Sequence, residues 1–253
     1  MRNTALLLLA ISIAVSAAHD GDDSIEAIHS NPWEYIGIPV PLDVLMVSAV
    51  ISGLAVFYSI FVKGMSEDAK RAVFFIIGAP IAISTAYLMI STVVLNLASE
   101  TGGPVHWHAD YEVWACGEKF ELIDPTGLDN KVGSPVLHEH NDNRIHVEGV
   151  LLKREEASLR NFFIQVGGNF DEDSLTMPTN DEVRTWNNGD KCSNLPAKWY
   201  VFVNGTLLDP ATAHDYVMSP LTIDSPNYKI DRIKLVFTEK NPTTVNPDIG
   251  GPP

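Results

Sequence analysis

Basic residues are scarce in this chain of 253 residues, and their distribution is uneven. Between Arg2 and Lys119 only Lys63, Lys70 and Arg71 carry positive charge. With 17 basic and 32 acidic residues, the formal net charge is −15. That balance argues against binding nucleic acid or docking on an anionic surface, because both depend on Lys and Arg facing phosphates. Cysteine is also rare: Cys116 and Cys192 are the only two, so the chain can close no more than one internal disulfide. No G-x-S-x-G, P-loop, G-x-G-x-x-G or C-x-x-C occurs, and no nucleophile–base pair stands out, so these residues lean away from catalysis. Charge of either sign is missing from Val44–Val62 and again from Val73–Leu97, runs of 19 and 25 residues. At about 1.5 Å per helical residue each can cross a hydrocarbon core, so membrane lipid is an expected partner.

These absences set an expected topology. Residues 1–18 read as a signal peptide or short anchor: Arg2, an apolar run from Ala5 to Val15 too short to span, then the small Ser16-Ala17-Ala18. Residues 19–43 form an acidic external segment without Lys or Arg. Transmembrane helices are expected over 44–62 and 73–97. The basic loop 63–72 between them belongs in the cytoplasm by the positive-inside rule. Everything beyond residue 103 then lies on the extracytoplasmic side of a cell membrane, which the leader implies independently. Small residues recur four apart, as Ser48 and Ser52, Ala49 and Gly53, Gly78 and Ala82, and Ala82 and Ala86, a spacing that lets helices pack closely. Pro80 is a candidate kink. No ionisable residue interrupts either run, which suits an anchor better than a transport pathway.

Residues 103–240 predict an α+β ectodomain of mixed strands and one main helix, where acidic residues again exceed basic ones. Val105–Cys116 alternates, with His106, His108, Asp110, Glu112 and Trp114 on one face and Trp107, Ala109, Tyr111, Val113 and Ala115 on the other. Lys119–Ile123, Val136–His140, Arg144–Leu151, Lys198–Val203, Thr206–Leu208 and Lys229–Thr238 read as further strands. Residues 155–166 carry a helical pattern ended by Gly167-Gly168, and residues 169–197 read as irregular. The stretch Trp199–Phe237 resembles half of a β-grasp fold. Residues 241–253 form a flexible, Pro-rich tail. Asn204-Gly205-Thr206 fits a glycosylation acceptor, and Asn-Gly fits a hairpin turn equally well.

Histidine is what the chain has in concentration. Five of its eight histidines lie between residues 106 and 146: His106, His108, His138, His140 and His146. Imidazole is the commonest protein ligand of transition metals. An H-x-H pair on a strand turns both rings to one face, so two such pairs on neighbouring strands bring four nitrogens together. Convergence of the five rings, with three or more on one ion, is therefore predicted. Nitrogen-rich ligation favours copper or zinc over calcium or magnesium. Asp110, Glu112, Asp142 and Glu148 interleave with the histidines as further ligands or as groups that orient the rings. His19 is a separate copper candidate: cleavage after Ala18 would leave it amino-terminal, and cleavage after Ser16 would place it third. Cys116 and Cys192 read as a disulfide in an oxidising compartment, with Cys116 as a metal ligand the alternative. Histidines that merely pack remain a third possibility for the cluster.

Known signatures fit unequally. His106-x-His108-x-Asp110 departs from the H-x-H-x-D-H of metallo-β-lactamase-like hydrolases because Tyr111 stands where the last histidine belongs. His106, His108 and Glu112 resemble the first cupin motif, H-x-H-x3-E, which implies a cupin-like metalloenzyme as the alternative to a binding protein. Neither cysteine has the nearby histidine that blue copper requires. More widely, residues 104–240 resemble a group of membrane-anchored archaeal and bacterial proteins that share H-W-H-A…C-G and H-x-H-x-D-x-x-I-H. That resemblance implies no particular activity. The sequence thus predicts a membrane-anchored, extracytoplasmic copper- or zinc-binding protein that captures, buffers or is stabilised by its metal. A structural envelope or assembly protein without metal is the further alternative.

Overall fold

A computed structural model describes residues 32–128, 130–218 and 230–253. The expected signal segment, His19 and most of the acidic segment lie outside the described residues. The described part opens with a helical turn, α1 (Pro32–Tyr35), followed by two long helices, α2 (Pro41–Phe61) and α3 (Glu67–Ala98). Both are long and apolar enough to cross a membrane. Pro41 starts α2 at a position where its missing N–H costs nothing, and Asp43 lies in the first turn, favourably placed for the helix dipole. Ser66 caps α3 by accepting from the Ala69 N–H at 3.3 Å. The helix therefore takes in Lys70 and Arg71, which were expected in a loop. It also runs on through Pro80 as a single element.

The two helices pack through serines. Ser48 and Ser52 of α2 and Ser84, Ser91 and Leu95 of α3 are buried, and Ser52 Oγ donates to the Ile77 carbonyl at 3.2 Å. Of the small-residue rows, Ser48/Ser52 lies at the contact, whereas Ala49, Gly53, Ala82 and Ala86 are exposed. The adjacent row is turned about 100° away by the helical period, so only one of two equally small rows can face the partner.

Beyond Ala98 the chain is mixed α and β, mostly sheet. Its main sheet has eight strands: β1 (Pro104–Ala115), β2 (Glu118–Phe120), β3 (Val132–Gly133), β4 (Leu137–Glu139), β5 (Arg144–Val150), and later β11 (Lys198–Val203), β12 (Thr206–Leu207) and β13 (Asp231–Thr238). The order is β12-β11-β13-β1-β5-β4-β3, and β2 pairs with the end of β1. β1 runs parallel to β13 and antiparallel to β5. On the inner face Ala109, Val113, Ile145, Val147, Ile233 and Leu235 are fully buried. Helix α4 (Leu159–Gln165) covers that face, with Tyr111 edge-on to Phe162 at 5.4 Å. The helix is shorter than the expected 155–166. Ser158 is extended and accepts from Asn161 N–H as an N-cap, which divides the pattern into a 3-10 turn (Arg154–Ala157) and α4.

Residues 169–197 are not irregular, as expected, but form β6 (Asn169–Phe170), β7 (Ser174–Pro178) and β8 (Val183–Asn187) in a second sheet, then the β9 (Lys191–Cys192) and β10 (Leu195–Pro196) pair. Gly168 is required here, since a Cβ would fall 2.1 Å from the Thr176 carbonyl oxygen. A disulfide joins Cys116 to Cys192, tying the end of β1 to β9. The tail is also ordered against the sheet. Lys234 is fully buried, yet its ammonium donates to the carbonyls of Asp248 at 2.8 Å and Gly251 at 2.7 Å. Burial lowers its pKa, opposed by Glu112 and Asp248. Phe202, Val236 and Val245 make a small apolar cluster on the same outer face. The tail thus covers the β11–β13–β1 half of that face, whereas β5 and β4 belong to the half beyond it.

Candidate metal centre

The strand register builds the site. In β1, His106 and His108 point away from α4, because their neighbours Trp107 and Ala109 point into the core. His108 lies opposite His146 of β5, and His146 lies opposite His138 of β4. Directly paired residues share a sheet face, so one row across three adjacent strands reads His108, His146, His138. In the next row His106 faces Glu148. His140 follows β4 at the same parity as His138. All five histidines therefore occupy one outer face, as the alternation predicts.

The rings meet. His106 Nε2 is 2.9 Å from His108 Nε2, and the His108 and His146 rings are 4.7 Å apart. His138 stacks parallel to His146 at 5.4 Å, and His140 stands edge-on to both at 4.8 Å. Two trios result, His106/His108/His146 and His138/His140/His146, each with ligand atoms all within 4.8 Å of one another. His146 belongs to both.

Carboxylates and the backbone surround the rings. Glu148 Oε1 lies 3.3 Å from His106 Nε2, and its Oε2 lies 3.9 Å from His138 Nε2. Asp142 Oδ2 is 3.2 Å from His146 Nε2. The Asn130 carbonyl contacts His140 Nδ1, fixing that ring from a loop whose spacing gave no sign of the role. Glu139 points to the opposite side and accepts from the Asp142 and Asn143 N–H groups, so it shapes the turn that carries Asp142. Gly133, with φ +118, lets β3 close against β4: a Cβ there would lie 2.4 Å from the Leu137 carbonyl oxygen.

Burial is graded across the cluster. The His106 side chain is 61% exposed, that of His146 is 12% and that of His138 is 2%. Burial lowers the His138 pKa to about 4; Glu148 opposes the shift, while His140, His146 and Lys131 add to it. Burial likewise lowers the pKa of His108, reinforced by His146, His106 and Arg144 and opposed by Glu148. Neutral imidazole, the form that binds metal, is thus favoured at both. The Nδ1 atoms of His138 and His146 are buried, and no described residue hydrogen-bonds to them. Buried polar atoms of this kind are uncommon and call for an explanation.

Other predicted residues separate from the site. Glu112 accepts from the Gly250 N–H at 3.0 Å and from Trp114 Nε1 at 2.9 Å, so the ordered tail takes it up and it does not join the histidines. Asp110 pairs with Arg144 at 2.7 Å. Cys116 is committed to its disulfide and cannot ligate a metal. Asn204 occupies the tight turn between β11 and β12, and its amide donates to Asp231 at 2.9 Å. No known protein family, curated protein or solved structure is significantly similar to the chain.

Proposed function

We propose that the protein binds a transition-metal ion, copper or zinc, through this histidine cluster, and holds it at a membrane surface. The observation that carries the reading is the shared row His108–His146–His138 with His106 and His140 beside it. Two nitrogens on a tetragonal copper stand at right angles and about 2.9 Å apart, the separation of the His106–His108 contact, whereas a tetrahedral zinc would spread them to about 3.3 Å. The unpartnered Nδ1 atoms of His138 and His146 supply donors that a metal would satisfy. A hard cation such as calcium would seek oxygen ligands, which are the minority here.

The two long apolar helices support the membrane attachment in this reading. The Ser99 hydroxyl donates to the Leu151 carbonyl and the Glu100 N–H donates to the Leu152 carbonyl at 3.1 Å, so the end of α3 is fastened to the chain just after β5. His106 and Glu148 are only a few residues from this junction, so helices spanning a bilayer would hold the cluster near its surface. The basic residues confined to 63–71 favour the extracytoplasmic side for the metal-binding part. We further read the sheet as β-grasp-like over residues 104–238: an antiparallel pair β1–β5 with β2, β3 and β4 inserted between them, a helix, then β11, with the last strand parallel to the first at the centre. The resemblance expected for Trp199–Phe237 alone would then extend to the whole sheet. The mixed, eight-stranded main sheet, and the engagement of Glu112 by the tail, favour capture or buffering over cupin-like catalysis.

Metal content of the full-length protein, purified in detergent, tests the binding. Wild type should retain copper or zinc through gel filtration. His108→Ala with His140→Ala should lose most of it, since each trio then keeps two histidines. Full metal content in the double variant, or none in wild type reloaded with either ion, would show that the histidines only pack.

A further inference from the structure

We propose that the cluster holds a second ion in a separate site made by His106, His108 and Glu148, beside an inner ion on His138, His140 and His146. The inference rests on the metal-binding reading above and extends it from one ion to two of unequal accessibility.

Donor number is the first reason. A structural zinc takes four ligands and an open one takes three from the protein, whereas five imidazoles and two carboxylates gather here. The second reason is their grouping. The two trios share His146 alone, and Glu148 can replace it in the outer one. Its Oε1 is 3.3 Å from His106 Nε2, and His106 Nε2 is 2.9 Å from His108 Nε2. Each ion then has three donors of its own. The third reason is the direction of the Glu148 oxygens. One faces His106 and the other faces His138, at 3.3 and 3.9 Å. A carboxylate placed so can bridge two ions about 3.5–4 Å apart, a usual two-metal separation. Asp142, at 3.2 Å from His146 Nε2, adds negative charge on the inner side.

The two ions would not be equivalent. His138 is sealed, whereas His106 stands largely in solvent. The inner ion is the retained one, and the outer ion exchanges with small chelators or with a partner's ligands. The outer site therefore serves as the loading and unloading port of the cluster.

Metal-stripped full-length protein in detergent micelles, titrated separately with Zn(II) and Cu(II), tests this by calorimetry and elemental analysis. Two equivalents of at least one metal per chain are expected, one of them removed faster by added chelator. His106→Ala, at an exposed position where folding should be unaffected, should bind one equivalent; circular dichroism and the intact disulfide check the fold. Glu148→Gln should weaken the second equivalent about tenfold or more. One equivalent in wild type would overturn the second site and leave metal binding standing. None would overturn both. Two equivalents retained in His106→Ala together with His108→Ala would place the second ion elsewhere and overturn the assignment.

Discussion

His146 has a histidine opposite it on each neighbouring strand, and that position gives it its weight in the cluster. His138, its partner on β4, gives the clearest pH signature. Its folded pKa of about 4 lies below the ordinary 6.5, so on acidification the unfolded chain takes up the proton first. Stability of the metal-free protein is then fully present above about pH 6.5 and declines as pH falls toward 4. Burial lowers the His108 pKa in the same sense. Thermal unfolding of chelator-treated protein should show a midpoint that drops over this window, and His138→Phe should flatten part of the drop. An unchanged slope in His138→Phe would mean that the imidazole is not held neutral by burial. At this scale the sequence was informative about the rings and less so about the acids. Parity places five histidines on one face, but nothing local distinguishes Glu148, which reaches two of the rings, from Glu112, which a tail more than a hundred positions away takes up.

Elements were legible where alternation was strong. β1 carries five buried side chains on one face of its alternation and is read from the sequence almost to the residue. β7 and β8 are short, and β8 buries none of its residues, so their pairing depends on partners rather than on pattern. The tail's contacts are hidden from the sequence for a related reason. Its proline-rich composition resembles a loose linker, yet it is fastened by carbonyls that satisfy the Lys234 ammonium. Removing residues 247–253 should therefore strip that buried ammonium of both acceptors and destabilise the fold by about 1–3 kcal/mol. Chemical denaturation measures this, and metal content should stay unchanged because the tail and the histidines occupy different parts of the outer face. Loss of metal in a folded truncation would contradict that division.

For the whole molecule, two long apolar helices are joined to a mixed α and β part by the short connection 99–103. The helices were legible from missing charge, while their contact face was only half legible, since two small-residue rows lie side by side and Ser48 and Ser52 are the row that packs. Sidedness is a separate expectation. In intact cells, a membrane-impermeant thiol reagent should label Glu172→Cys and leave Ser66→Cys unlabelled until the membrane is opened. The reverse pattern would invert the topology and put the histidines in the cytoplasm. The central claim, that these imidazoles hold the metal, is tested most directly by X-ray absorption at the metal edge of the loaded full-length protein. Three or more nitrogen scatterers at about 2.0–2.1 Å, with the outer-shell pattern of imidazole rings, are expected. A shell made only of oxygen, or one unchanged by His146→Ala, would contradict it.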